Sequence, residues 1–215
     1  MIFTRIVDLT MELKTGTPVF PGDPSPIILT ITTIREHGYY GNLVQLSEHT
    51  GTHVDSPAHF IEGALTIDKV PLEKFMGRGV VVDATGLSPR ALITREFLEE
   101  ALYGKKVGRG CVLLIMTGYD VRAGTPDWFN HPGLDESGAQ YLVELGVNAV
   151  GIDAPSIDHP PFPGHFILLS NGIVIYENLT NLKEIVNKQF QFYGFPLKIQ
   201  NGSASPVRAV AILEE

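Results

Sequence analysis

The chain has 215 residues, of which 44% are hydrophobic and 19% charged, and its formal net charge is −8. That composition belongs to a globular protein rather than a disordered one, and an acidic chain with no run of Lys and Arg disfavours nucleic acid and anionic membranes as partners. No apolar stretch approaches the ~20 residues of a membrane span, and Met1 to Arg5 lacks the charged-then-apolar order of a signal peptide, so a cytoplasmic protein is expected.

In chain order, the Val-, Ile- and Leu-rich runs predict strands over residues 5–10, 27–34, 42–49 and 80–83. A helix follows, capped by Thr94, with Phe97, Leu98, Ala101 and Leu102 on one face and an end near Gly104. The next strand, 111–116, carries the single cysteine, Cys111, which excludes an intramolecular disulfide and reads as a small buried hydrophobe. Asp135 caps a second helix bearing Ala139, Leu142, Val143 and Leu145, stopped by Gly146. Strands are predicted over 149–152 and 173–176, a third helix around 182–190, and a last strand over 208–213. The 22 Gly and 15 Pro residues make up about 17% of the chain, against a usual share of roughly 12%, which adds turns and long loops. Strands outnumber helices without regular alternation, so a mixed α/β fold is expected rather than a doubly wound sheet. With no Pro- or Ser-rich linker, residues 1–215 read as one domain.

Three of the seven histidines fall within residues 49–59. His49, His53, Asp55 and His59 are all odd-numbered, so on an extended backbone they share one face. A helix would also pair His49 with His53. Against it stand β-branched Thr50, Thr52 and Val54, the poor helix former Gly51, and Pro57, which holds Ser56 extended. On a strand, Gly51 lies between the two imidazoles and its missing side chain leaves space for a cation. Two imidazoles and a carboxylate suit Zn²⁺, Mn²⁺ or Fe²⁺. Three protein ligands leave a position for water, whose pKa falls from roughly 15.7 to about 7 on such an ion.

The pattern His49-x-Gly51-Thr52-His53-x-Asp55-x-Pro57-x-His59 resembles the signature of a cyclase family whose best understood members are the bacterial kynurenine formamidases. Pro18-Val19-Phe20-Pro21-Gly22-Asp23, Gly151-Ile152-Asp153-Ala154-Pro155-Ser156, His165, Glu177-Asn178-Leu179 and Ser205-Pro206-Val207-Arg208 resemble further elements of it, so the likeness spans nearly the whole chain. It implies a swivelling β/β/α domain that assembles as a homodimer or larger homo-oligomer. It implies that His49, His53 and Asp55 bind a divalent metal, Zn²⁺ or alternatively Mn²⁺, and that Asp55 bridges to a second ion completed by His165 and Glu177. His59 matches the family's acid/base, and Phe20 a substrate-contacting aromatic that is commonly Trp in kynurenine formamidases. The implied reaction on a small-molecule substrate is hydrolysis of N-formylkynurenine to kynurenine and formate, with metal-bound hydroxide as nucleophile.

Two other readings stand beside it. The same site can act on a cyclic amide, imide or lactone, or the chain can be a metal-containing binding protein without turnover. Serine-hydrolase and nucleotide-binding readings find no Gly-x-Ser-x-Gly, Gly-x-Gly-x-x-Gly or P-loop. His159 can line the pocket entrance. Asp153 and Asp158 can orient ligand imidazoles or serve as turn and cap residues.

Overall fold

The apolar runs pair into a sheet whose parallel centre carries the deepest core. The computed structural model describes residues 3–214; the N-terminal reading that uses Met1 and Ile2 lies partly outside them. The strands are β1 (Phe3–Asp8), β2 (Ile27–Thr32), β3 (Gly41–Gln45), β4 (His53–Asp55), β5 (Met76–Asp83), β6 (Leu92–Ile93) and β7 (Cys111–Met116). They continue with β8 (Gly133–Leu134), β9 (Ala149–Ile152), β10 (Val174–Glu177), β11 (Phe190–Tyr193), β12 (Ala204–Pro206) and β13 (Val210–Glu214). The helices are α1 (Ile34–His37), α2 (Arg95–Ala101), α3 (Glu136–Leu145) and α4 (Pro163–Ser170).

Nine strands form one sheet in the order β1-β13-β11-β5-β7-β9-β10-β4-β12. Neighbours among β5, β7, β9 and β10 run parallel, and the flanking strands are antiparallel. Alternation within the central strands feeds two cores. Val80, Val82, Leu113 and Ile115 pack with Leu98, Leu142 and Leu168 of α2, α3 and α4. Val81, Val112 and Leu114 face the other way, into a core shared with Val7 of β1 and Val54 of β4. Strands near opposite edges of the sheet thus share one apolar cluster, because the sheet curls over it. This is the single mixed α/β fold expected.

Strand 111–116 and helices α2 and α3 lie where the sequence puts them. Thr94 Oγ1 accepts from Phe97 N and Asp135 Oδ1 from Gly138 N, and Gly146 closes α3 in the left-handed region. The helix expected around 182–190 is absent. A single 3₁₀ turn spans Leu182–Glu184, and Phe190 instead opens β11. Pairing on both sides, with β5 and β13, overrides the local helical pattern there. Helix α4 and strands β11 and β12 are additions to the sequence reading.

The extended reading of residues 42–49 also needs correction. β3 stops at Gln45, His49 sits in a turn, extended pairing resumes only at His53–Asp55, and Pro57–His59 is a 3₁₀ turn. Gly51 has φ of 66°, a left-handed conformation that favours glycine. A Cβ there would meet Met11 and Leu13 at ordinary contact distance. Gly51 therefore serves the turn and not a cation's space.

Candidate metal centre

The local chain and the sheet register together bring the site residues to one place. β4 pairs antiparallel with β10, setting Glu177 opposite His53 and Ile175 opposite Asp55. Glu177 closes β10 at the carboxyl end of the parallel strands, the usual position of sites in such sheets. α4 starts with Pro163 at its first position, which suits proline's missing N–H, and carries His165 inward.

The resulting cluster is nearly dry. His53, Asp55, His165 and Glu177 are all buried, while His49 and His59 are half-buried. His53 Nε2 lies 3.4 Å from Asp55 Oδ1 and 3.6 Å from Glu177 Oε2. His165 Nε2 lies 3.2 Å from Glu177 Oε1 and 3.8 Å from Asp55 Oδ2. His49 Nδ1 lies 2.9 Å from Asp55 Oδ1. The structure thus brings together all five residues expected as ligands, with His59 beside them, its ring 4.2 Å from that of His49 and 6.0 Å from that of His165.

Three polar atoms at the centre, His53 Nε2 and both Asp55 carboxylate oxygens, are buried without a hydrogen-bond partner. An unsatisfied buried carboxylate is costly. A divalent cation among these atoms removes that cost, so the donor set fits one. Among the described residues two groups of atoms close enough to hold an ion share Asp55, namely His49, Asp55 and His59, and His53, Asp55 and Glu177; His165 falls in neither. His, Asp and Glu donors suit Zn²⁺ or Mn²⁺.

The electrostatics agree with a cation site. Burial disfavours a charged His53, but Asp55 and Glu177 outweigh it and raise its pKa to about 9. Burial likewise opposes a charged His165, whereas Asp158 and Glu177 raise it to about 10. Burial pushes Asp55 up, yet His53 and His49 hold it well below the usual carboxylate range. For His59 burial dominates and lowers the pKa; Asp55 opposes it more weakly, and His49 and His165 add to the lowering. These surroundings favour the neutral form of His59.

Neighbouring groups brace the cluster. Asp158 Oδ1 is 2.6 Å from His165 Nδ1, and its Oδ2 accepts from His165 N at 3.0 Å. Asp158 is thus an imidazole-orienting partner, one of the two roles the sequence left open. Asp153 is not. It accepts from Thr117 N and Oγ1 and from Gly118 N, tying the ends of β7 and β9 together. His159 stacks on His131 at 4.4 Å rather than lining the pocket.

Above the cluster lies a cavity of about 250 Å³ walled by Phe20, Phe60, Trp128, Phe162 and Pro155, with His49, His53, His59, His165 and Glu177 at its base. Phe20 sits on a turn closed by Asp23 N donating to Phe20 O, and packs edge-on against Phe129 at 5.7 Å. Trp128, Phe60 and Phe162 went unnoticed in the sequence. Lone aromatics in Pro-bearing loops look the same whether they line a pocket or fill a core.

The fold and the site define a mixed α/β domain with a buried histidine–carboxylate cluster beneath an aromatic pocket. Residues 7–159 match the family model described as "Putative cyclase", and the chain belongs to this cyclase family. A kynurenine formamidase from Salinibacter ruber is 33% identical over 213 residues, covering 95% of this chain and 96% of that one. The structure of isatin hydrolase A from Labrenzia aggregata bound to benzyl benzoate superposes with a TM-score of 0.89 at 28% identity, covering 98% of this chain and 94% of that one. A structure described as a potential metal-dependent hydrolase with cyclase activity gives 0.80 at 28% identity, covering 98% of each chain.

Proposed function

We propose that this chain is a metal-dependent amide hydrolase that cleaves N-formylated arylamines, converting N-formylkynurenine and water to kynurenine and formate. The observation that carries this reading is the set of buried His53 and Asp55 atoms without a hydrogen-bond partner at the base of an aromatic pocket. His49, His53, Asp55, His165 and Glu177 would hold the cation, Zn²⁺ or alternatively Mn²⁺, as one ion or two. When bound, such an ion polarises a carbonyl and makes water more acidic. The residues do the rest. Phe20, Phe60, Trp128 and Phe162 clamp the aryl ring. Neutral His59 takes a proton from the attacking water as the water oxygen bonds to the formyl carbon. It returns that proton to the amine nitrogen as the C–N bond breaks.

A second reading keeps these roles and exchanges the substrate for a cyclic amide, imide or lactone. It is favoured by the likeness to isatin hydrolase A, since isatin is a cyclic amide, and by Phe20 standing where kynurenine formamidases commonly have Trp. A homodimer goes with either substrate. The β2–β3 ribbon pairs with no other strand among the described residues, and Ile27, Leu29, Ile31, Leu43 and Val44 on it are exposed. Apolar patches of this kind mark interaction surfaces. No helix of the described residues is long and apolar enough to cross a membrane, and a cytoplasmic place suits this reading.

The test is N-formylkynurenine hydrolysis by chelator-stripped protein before and after adding Zn²⁺ or Mn²⁺. The expected result is metal-restored activity with kcat/KM of roughly 10⁴ M⁻¹s⁻¹ or more. Metal-loaded protein inactive on the formamide but active on isatin would move the assignment to the second reading.

A further inference from the structure

The three imidazoles expected as ligands are not turned the same way. His53 Nδ1 lies 2.9 Å from the Gly51 carbonyl oxygen, and His165 Nδ1 lies 2.6 Å from Asp158 Oδ1. A carbonyl and a carboxylate can only accept, so each Nδ1 carries a hydrogen and each Nε2 faces the centre. His49 is reversed. Its Nδ1 faces Asp55 Oδ1, and its Nε2 lies 3.2 Å from Ser203 Oγ.

A hydroxyl can donate or accept, so Ser203 alone does not decide the protonation of His49. Glu48 does. Its Oε2 accepts from Ser203 Oγ and from Ser203 N, both at 2.8 Å, and from Ala204 N at 3.3 Å. The one hydroxyl hydrogen of Ser203 is thereby committed to the carboxylate. Only lone pairs remain toward His49, so Nε2 must be the donor.

We infer that Glu48 and Ser203 are positioning residues that lock His49 as the Nε2–H tautomer, so that it offers Nδ1 to the cation where His53 and His165 offer Nε2. This rests on the metal-holding reading above. With Nε2 as the donor, the Nδ1 lone pair faces Asp55 Oδ1 at 2.9 Å, where a cation would find both atoms as ligands. The lock also sets the face that His49 presents to His59, whose ring lies 4.2 Å away at an interplanar angle of 39°. The arrangement brings Ser203 to His49 across 154 positions of sequence, which is why the pattern around residue 49 does not contain it.

The experiment is a long-range ¹H–¹⁵N correlation spectrum of the zinc-loaded, ¹⁵N-histidine-labelled full chain, together with zinc affinity by chelator competition. His49 is expected to show a protonated Nε2 and zinc-bound Nδ1, and His53 and His165 the reverse. Ser203→Ala should weaken zinc binding about 10–100-fold, the usual effect of removing a ligand's hydrogen-bond partner. The His53 and His165 signals should stay in place, reporting an intact fold. Ser203→Thr, which keeps the hydroxyl, should restore most of the affinity. A zinc-loaded wild type with His49 protonated at Nδ1 overturns the inference and leaves the metal reading intact, as does a folded Ser203→Ala that binds zinc as tightly as wild type. A wild type that binds neither zinc nor manganese overturns both. The tautomer is read in the unmodified chain, so this outcome does not depend on any variant folding.

Discussion

Replacing His59 with alanine separates proton transfer from metal binding. The His59 ring packs against His49 at 4.2 Å and Phe60 at 4.9 Å on the pocket wall, and it is half-buried, so its removal opens the pocket without breaching either core. The stability cost should stay near ~1 kcal/mol, as for an ordinary substitution. Its catalytic cost should be much larger. A positioned acid/base contributes about 10²–10⁴-fold, which at 1.36 kcal/mol per decade is about 3–5 kcal/mol of barrier. The assay pairs steady-state kinetics on N-formylkynurenine with metal content per chain by plasma mass spectrometry. The expected result is a 10²–10⁴-fold fall in kcat, little change in KM, and undiminished metal. A loss of less than about tenfold at full metal occupancy would refute the proton-transfer role. Metal lost in parallel with activity would make His59 a ligand, a role its closeness to the donor atoms of His49 and Asp55 allows.

Two further outcomes probe the fold. Burial lowers the His131 pKa to about 4, against about 6.5 in the unfolded chain, so between those values the unfolded state holds more protons. Its contribution to stability is full above pH 6.5 and is lost as pH falls through 4; the shift corresponds to about 3 kcal/mol. Urea unfolding of His131→Gln at pH 7 and pH 4 should show a pH dependence smaller by about that amount; equal dependence in both proteins would refute it. A Cβ on Gly79 of β5 would lie 1.8 Å from the Phe190 ring. Gly79→Ala should therefore destabilise by about 1–3 kcal/mol or more, lowering Tm by roughly 2 °C or more, and a melting curve superimposable on wild type would disprove the close packing.

The sequence held the local parts of this protein. The run from Cys111 to Met116, apolar on both faces, can only be a covered strand, and Thr94 and Asp135 each bring a cap ahead of an apolar helical face. His49, His53, Asp55 and His59 were legible as a group because they lie within eleven residues, although turns at both ends, not one extended strand, bring them together. Helix α4 was obscured by Pro160, Pro161 and Pro163, which read as loop, and by apolar side chains all round, which give no period. The helix expected around 182–190 reaches only the first residue of β11, whose strand identity comes from its partners β5 and β13.

His165 and Glu177 became visible through family resemblance, and Asp158's role, Ser203, Glu48 and Trp128 only through the structure. The sequence by itself determined which residue types were available, which strands had to be buried, and that one segment carries histidines and a carboxylate at cation-ligand spacing. Tertiary structure decided which distant groups complete that segment. Side chains alternate faces along a strand, so slipping the β4–β10 register by one residue would turn Glu177 away from His53. No local propensity encodes that register; it follows from the burial of both faces of the curled sheet.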